Sequence, residues 1–454
     1  MLYNLKLFIN IIAKSCIFTL LLLLQAIIAT AQTLDFNKID NAVFENITTT
    51  GSAHLILFRS NAEVLNKSYS NIPQKITSST RIKISTASIW LASAAILSMV
   101  DEGYITLDTE IGKVLPQFKG DKGKVTIRQL LSHTSGFPTN SIYLKDRSLT
   151  LEQSVDSIAK HLSLTNPSGK SFSYGGVSIQ IAARIAEVIS KKSWEQLFYE
   201  QIAKPCAMSV SDFGKAKSIM IGDGAYSSAY DYHNFLKMIL NKGMYNGKRV
   251  LSEKMINEML TDHTGGLPLG YTPYRFRTSQ NSRFYGLGVW IERIDPKTKI
   301  GTEINSQGAR GFTPWINTCK NIGGVFAVYG DLKSAQSTVD GIKILLEDNY
   351  IDKCNDIATE NIENLETISG RIKESSSVAS SNTMLITFQL DKNSFVNLKF
   401  FDSLGNEITQ ILNKQMNAGE HTIPLNTSEL PSGVYFYRLK VNERLETKKV
   451  TIKK

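Results

Sequence analysis

Between Ile84 and Asp108 the chain reads ISTASIWLASAAILSMVDEGYITLD, with apolar Ile89, Ile96, Leu97 and Val100 at helical spacing and a charged turn, Asp101-Glu102-Gly103, at their end. This spacing predicts a buried helix. On either side, polar and apolar positions mark out further elements. Leu34–Asn46 has the period of an amphipathic helix, and His54–Arg59 and Glu63–Tyr69 alternate like the strands of a hairpin. Helical patterns follow over Val125–Pro138, Leu149–Leu162, Val177–Ser190, Ser193–Met208 and much of Gly224–Leu260. Tyr285–Glu292 (YGLGVWIE), Asn305–Trp315 and Gly323–Gly330 (GGVFAVYG) read as strands, closed by a helix over Gln336–Asn349.

The two ends differ from this middle. Lys6 and Lys14 flank the start, an apolar run spans Ile17 to Ile28, and Ala29-Thr30-Ala31 offers small residues for cleavage. Residues 1–31 therefore read as a secretory signal peptide, since the run is shorter than the ~20 residues of a membrane-spanning helix. Cys16 precedes the run, which argues against a lipoprotein anchor. Residues 351–383 are polar, with the run Glu374-Ser-Ser-Ser-Val-Ala-Ser-Ser381, and read as a linker. Short alternating segments from Met384 to Lys454 predict a small all-β sandwich. The expected division is thus 1–31, 32–350, 351–383 and 384–454.

At 454 residues the chain has room for two or three domains. Its net charge of +10 is spread thinly, without a basic stripe interleaved with aromatics, which argues against a nucleic-acid partner. Beyond Cys16, the cysteines are Cys206, Cys319 and Cys354, an odd number at irregular spacing. That argues against a disulfide framework and a zinc site, and leaves open one bridge, Cys319 to Cys354, or three thiols. No cluster implies a metal or organic cofactor.

The Ile84–Asp108 stretch resembles the active-site helix of the serine beta-lactamase and penicillin-binding-protein-like family, in its class C and esterase-related branch. That helix opens with Ser-x-x-Lys, because three residues is about one turn and sets the amine beside the hydroxyl. Counting back from Gly103, the lysine slot falls on Ile89 and the nucleophile slot on Thr86. A register one residue earlier, with Ser85 and Ser88, breaks the fixed distance to Gly103 and still supplies no base. Further landmarks are LLSHTSG over Leu130–Gly136, Tyr174-Gly175-Gly176 at the family's Tyr-x-Asn, and Ser306-Gln307-Gly308 where Lys or His, any residue, then Gly is usual. The resemblance runs almost continuously from residue 34 to 350.

It implies an α/β (α+β) fold of the beta-lactamase/transpeptidase type: an antiparallel sheet flanked by helices, plus a helical lobe, with the site between the lobes. By the same resemblance Thr86 and Tyr174 hold the catalytic slots, and Gly176, Ser306, Gly308 and Ala309 the substrate-binding ones. Ala309 would contribute a backbone N–H to an oxyanion hole. His133 would be a hydrogen-bonded structural histidine in a turn. Lys83, three residues before Thr86, would precede the helix and point elsewhere.

The C-terminal block resembles the type A sorting domain of the type IX secretion system, through Asp402-x-x-Gly405, Ala418-Gly419-Glu420-His421, Leu430-Pro-Ser-Gly-Val-Tyr435 and the basic end Lys448, Lys449, Lys453, Lys454. The expectation is a secreted or cell-surface protein that uses that machinery. Its beta-lactamase-related domain would be catalytically impaired, because a hydroxyl without a neighbouring base is a poor nucleophile. It would hold a peptide-like, peptidoglycan-derived or ester small molecule. Two other readings stand beside this one: an active hydrolase working through an acyl-enzyme at Thr86, and a passive surface protein with an occluded cleft.

Overall fold

The computed structural model describes residues 36–273, 284–295, 297–330, 332–347, 370–372, 378–379, 383–390, 392–402, 407–431, 433–441 and 444–452. The expected signal peptide lies outside these residues. The first domain is built on a seven-stranded antiparallel sheet. Its strands are β1 (Ser52–Arg59), β2 (Ala62–Ser70), β3 (Phe284–Tyr285), β4 (Trp290–Ile294), β5 (Gly301–Asn305), β6 (Thr313–Asn317) and β7 (Ile322–Val328), in the order β2-β1-β7-β6-β5-β4-β3.

The run Leu55–Phe58 of β1 is apolar throughout because both faces of the sheet are covered. Leu55 and Leu57, with Phe326 and Val328 on β7, turn to one face. There they meet Ile39 and Val43 of the helix Phe36–Thr50 and Val339 and Ile342 of the helix Leu332–Glu347. Ile56 and Phe58, with Val325 and Ala327, turn to the other face, where the helices Ser88–Asp101 and Ala229–Leu240 lie. A period of two distributes alternate residues to two cores.

The Ser88–Asp101 helix is buried continuously from Ser88 to Met99. It packs on the helix Gly176–Ser190 of the helical lobe, so its sequence is apolar all round instead of striped. Lys343, on the closing helix, reaches the opposite side of the sheet. Its Nζ lies 2.7 Å from Glu292 and 3.1 Å from Glu303, with Arg293 3.2 Å from Glu303 and Asn305 donating to Glu292.

Three expectations change. The stretch Tyr285–Glu292 is not one strand: β3 and β4 pair with each other across a corner at Gly286–Val289. The corner presses against the buried helix, where a Cβ on Gly288 would fall 2.0 Å from Ser93 Oγ, and Gly288 also has φ +88°. Nor does Asn305–Trp315 form a strand. β5 ends at Asn305, and a turn closed by Gly308 N–H to Phe312 O (2.8 Å) and Gly311 N–H to Gly308 O (2.8 Å) leads into β6. Finally, the expected linker contains the strands Gly370–Ile372 and Val378–Ala379, which join the C-terminal sheets.

Those sheets have three and five strands. The first orders Gly370–Ile372, Thr383–Leu390 and Gly419–Asn426; the second runs from Val378–Ala379 through Arg444–Ile452, Gly433–Val441 and Ser394–Asp402 to Glu407–Met416. Their own core, including Phe388, Leu398, Phe400 and Tyr437, makes this the small all-β domain expected from the alternation. Cys319 is disulfide-bonded, with its partner outside the described residues, and Cys206 is a buried free thiol. Three unpaired thiols are thereby ruled out, while the pairing of Cys319 with Cys354 falls outside the described residues.

Candidate active site

The entry to the buried helix is fixed by backbone pairing. Ile82–Lys83 pairs with Tyr226–Ser227, and Ile84 N–H donates to Ala225 O at 3.0 Å. A 3-10 turn, Ser85–Ala87, then leads into the helix. Ser85 has φ +50°, a conformation that costs a non-glycine residue ~1–3 kcal/mol and persists only where the surroundings enforce it. They do so here. Ser88 Oγ donates to Ser85 O and accepts from Ala225 N–H at 3.0 Å, and Tyr232 donates to Ala87 O at 2.9 Å. Both serines of the alternative register are buried, and Ser88 is committed to backbone groups.

The Thr86 hydroxyl is held from two sides. It donates to Gln307 O at 2.8 Å and accepts from Ala309 N–H at 3.1 Å. Gly308 makes this approach feasible, because a Cβ there would meet Ile84 O at 2.3 Å. Tyr174 brings its phenol into hydrogen-bonding contact with Thr86 and the Trp290 indole. Burial pushes that phenol above its ordinary range, against the opposing effect of these two contacts, so it stays protonated near neutral pH.

Thr86, Ile89, Tyr174, Gly176 and Ala309 share the surface of one cleft of about 270 Å³. Ile89 is 1% exposed and occupies the place on the helix where the lysine was expected. Gly175 allows the chain beside Tyr174 to touch the loop before Ile142, since its Cβ would lie 2.1 Å from Thr139 O. Ser306 and Gly308 are not on the cleft surface. Ser306 is buried beside Tyr232, and Gly308 sits behind, against the helix entry.

At His133 the turn is as expected and the hydrogen bonding of the ring is not. It is a structural turn, with φ +56° at His133 and Ser173 N–H donating to His133 O at 2.9 Å. The ring, however, lies among Tyr174, Tyr285 and Phe172 at 4.7, 5.1 and 6.2 Å between centroids, and among the described residues neither ring nitrogen has a hydrogen-bond partner. Burial pushes its pKa down to about 3, so it is neutral at physiological pH and cannot act as a cationic group.

Lys83 is paired with Asp223, 2.8 Å away, and Asp223 lines the cleft. Asp223, Lys145 and the Gln307 carbonyl were not anticipated from the sequence. Each comes from a segment distant from Thr86, and no spacing links it to the helix. In chemical terms the cleft presents a hydroxyl bonded to a backbone carbonyl and a backbone amide, a neutral phenol, and an aliphatic residue beside them.

A family described as Beta-lactamase matches residues 41–346, and one described as Secretion system C-terminal sorting domain matches residues 380–453. Among solved structures, a candidate beta-lactamase from Bacteroides dorei DSM 17855 is 28% identical, with a TM-score of 0.62 over 69% of this chain and 100% of that one. An octameric penicillin-binding protein homologue from Pyrococcus abyssi shares the fold at 17% identity and a TM-score of 0.57, covering 92% of this chain and 97% of that one. Protein flp of Staphylococcus aureus strain MW2 is 25% identical over 172 residues, which is 36% of this chain and 34% of that protein. The chain thus spans about a third of the length of this curated relative.

Proposed function

Because this chain belongs to the beta-lactamase family and ends in a type IX secretion sorting domain, which marks it for secretion or the cell surface, we propose that it is an exported homologue whose cleft binds a small acyl-type ligand without hydrolysing it. In this reading residues 1–31 direct the first export step, residues 32–350 form the binding domain, and the C-terminal domain engages the type IX machinery. The ligand is peptide-like, peptidoglycan-derived or an ester.

The observation that carries the proposal is the state of the Thr86 hydroxyl. Its proton is directed at the Gln307 carbonyl, which is not a base, and its oxygen occupies the Ala309 N–H that would stabilise an oxyanion. Ile89 supplies no nitrogen, and Tyr174 is a buried neutral phenol. The three things acyl transfer needs are a base, a free nucleophile and a vacant oxyanion donor. Each is missing or already engaged. Thr86, Ile89 and Tyr174 therefore mark the catalytic slots, with the Ala309 N–H engaged by Thr86, while Gly176 lies on the cleft surface open to a ligand.

The test compares the natural chain, Thr86→Ala, and the double variant Thr86→Ser with Ile89→Lys, using a chromogenic ester and a fluorescent penicillin. The natural chain is expected to show neither turnover nor labelling. Reaction by the double variant alone would place the loss at these two slots. Turnover by the natural chain that Thr86→Ala abolishes would overturn the proposal in favour of an active hydrolase.

A further inference from the structure

The cleft floor around Ile89 carries more than the loss of a base. A Cβ on Gly222 would lie 3.4 Å from Gly176 Cα and 3.8 Å from Ile89 Cδ1, and one on Gly176 would lie 3.2 Å from Leu144 Cδ1. Ile89, Leu144, Gly176 and Gly222 therefore form one continuous wall, with Met220 also on the lining. The side chains of Ile89, Leu144 and Met220 offer a polar ligand group no strong hydrogen-bond partner and the two glycines add none, so a polar group pressed against this wall would lose its water without a replacement. The floor suits an aliphatic group.

The charges on the lining point the same way. Two charged residues lie on its described surface, Asp223 and Lys145. Asp223 is taken by Lys83 at 2.8 Å. Lys145 is exposed, one residue from the wall residue Leu144, so the charge left for a ligand is a cation at the mouth. Apolar surface continues outward from there, since Tyr271 on the lining is 42% exposed and Ile142, on the same short helix as Lys145, is 74% exposed.

Resting on the non-hydrolytic reading above, we infer that the ligand of this cleft is an aliphatic carboxylate of medium chain length, its chain laid against Ile89, Leu144, Gly176 and Gly222 and its carboxylate beside Lys145. Conversion of a catalytic floor to an apolar one would then be a change of task.

Calorimetric titration of the full chain with acetate, hexanoate, octanoate and 1-octanol tests this. Affinity is expected to rise roughly fourfold per methylene until the hollow is filled, and octanoate should bind more tightly than 1-octanol. Lys145→Gln should remove the preference for octanoate over 1-octanol. Gly176→Val, which places a branched side chain against Leu144, should weaken octanoate at least tenfold. Should that variant fail to fold, the δ-methyl resonance of Ile89 in the natural chain provides the second readout, shifting with octanoate and not with acetate. Equal affinity for acetate and octanoate, no binding of either, or an unmoved Ile89 methyl would overturn the inference. A flat chain-length response would leave the non-hydrolytic reading intact. Thr86-dependent hydrolysis of 4-nitrophenyl octanoate in preference to the acetyl ester would overturn that reading while supporting the chain pocket.

Discussion

On the sheet face turned to the terminal helices, Lys343 is buried between two carboxylates, those of Glu292 and Glu303, with Arg293 and Asn305 completing the cluster. On the face turned to the Ser88–Asp101 helix, the position expected to carry a lysine carries Ile89, which lies against Gly222 and beside Thr86 and Tyr174 on the cleft surface. The two sites are comparably buried and treat charge in opposite ways. A buried charge costs several kcal/mol unless it is paired and hydrogen-bonded on all sides. The first site pairs its cation within the protein, between two carboxylates of which one is also bonded by Asn305. A catalytic lysine must stay available to a substrate and so can be paired only in part. If the cleft binds without hydrolysing, as proposed, the amine has no task there and an aliphatic side chain is the more stable occupant.

Breaking the paired side of this comparison should give the largest effect. Lys343→Met leaves two carboxylates without their shared cation, and a loss of about 3–5 kcal/mol is expected in urea denaturation. A loss below about 1 kcal/mol would mean that water reaches the cluster and that the two sites are not comparable after all.

A pH series sharpens the same contrast. Burial raises the Glu303 carboxyl from 4.5 to about 7, with Lys343 opposing and Glu292 adding to the shift. The folded chain then holds a proton that the unfolded chain has released. The stabilisation is fully present below pH 4.5 and is lost as pH rises through about 7, with a slope of at most about 1.4 kcal/mol per pH unit. Glu303→Gln should flatten stability across that window, and an unchanged profile would remove Glu303 as the source.

The smallest effect lies at the cleft. Thr86→Ala removes the bonds to Gln307 O and Ala309 N–H and is expected to cost about 1 kcal/mol in thermal or urea unfolding. Thr86→Ser, which keeps the hydroxyl, should stay close to the natural chain. If both variants were equally destabilised, the methyl group and not the hydroxyl would be what holds the helix entry.

The difference between the two sites also marks how far the sequence could be read. Local periodicity was sufficient for the buried helix, the β1–β2 hairpin and the C-terminal sandwich, because each follows from residues close in the chain. It failed where a distant backbone dictates the path. The Gly286–Val289 corner exists because Ser93 lies against Gly288, and the turn after Asn305 because Ile84 lies against Gly308. No alternation records either contact. The Thr86 and Ile89 slots were placed by a fixed distance to Gly103, and Ala309 through the resemblance, yet Gln307, whose carbonyl accepts from the Thr86 hydroxyl, lies more than 200 positions away with nothing local to announce it. The Lys343 cluster left no trace for the same reason, since Glu292, Glu303 and Lys343 look like ordinary surface residues until the sheet brings them together. His133 is a different case. Its turn was legible, but a ring enclosed by aromatics carries no signature of its missing hydrogen bonds.

The buried Cys206 has a consequence for transit. An exported chain with a disulfide at Cys319 must form that bond while another thiol is present in the same molecule. Burial raises the Cys206 thiol to about 12, which leaves almost no thiolate, the only form that attacks a disulfide. In the folded chain Cys206 is therefore withdrawn from exchange, and a bridge at Cys319 is open to its attack only while Cys206 is still uncovered.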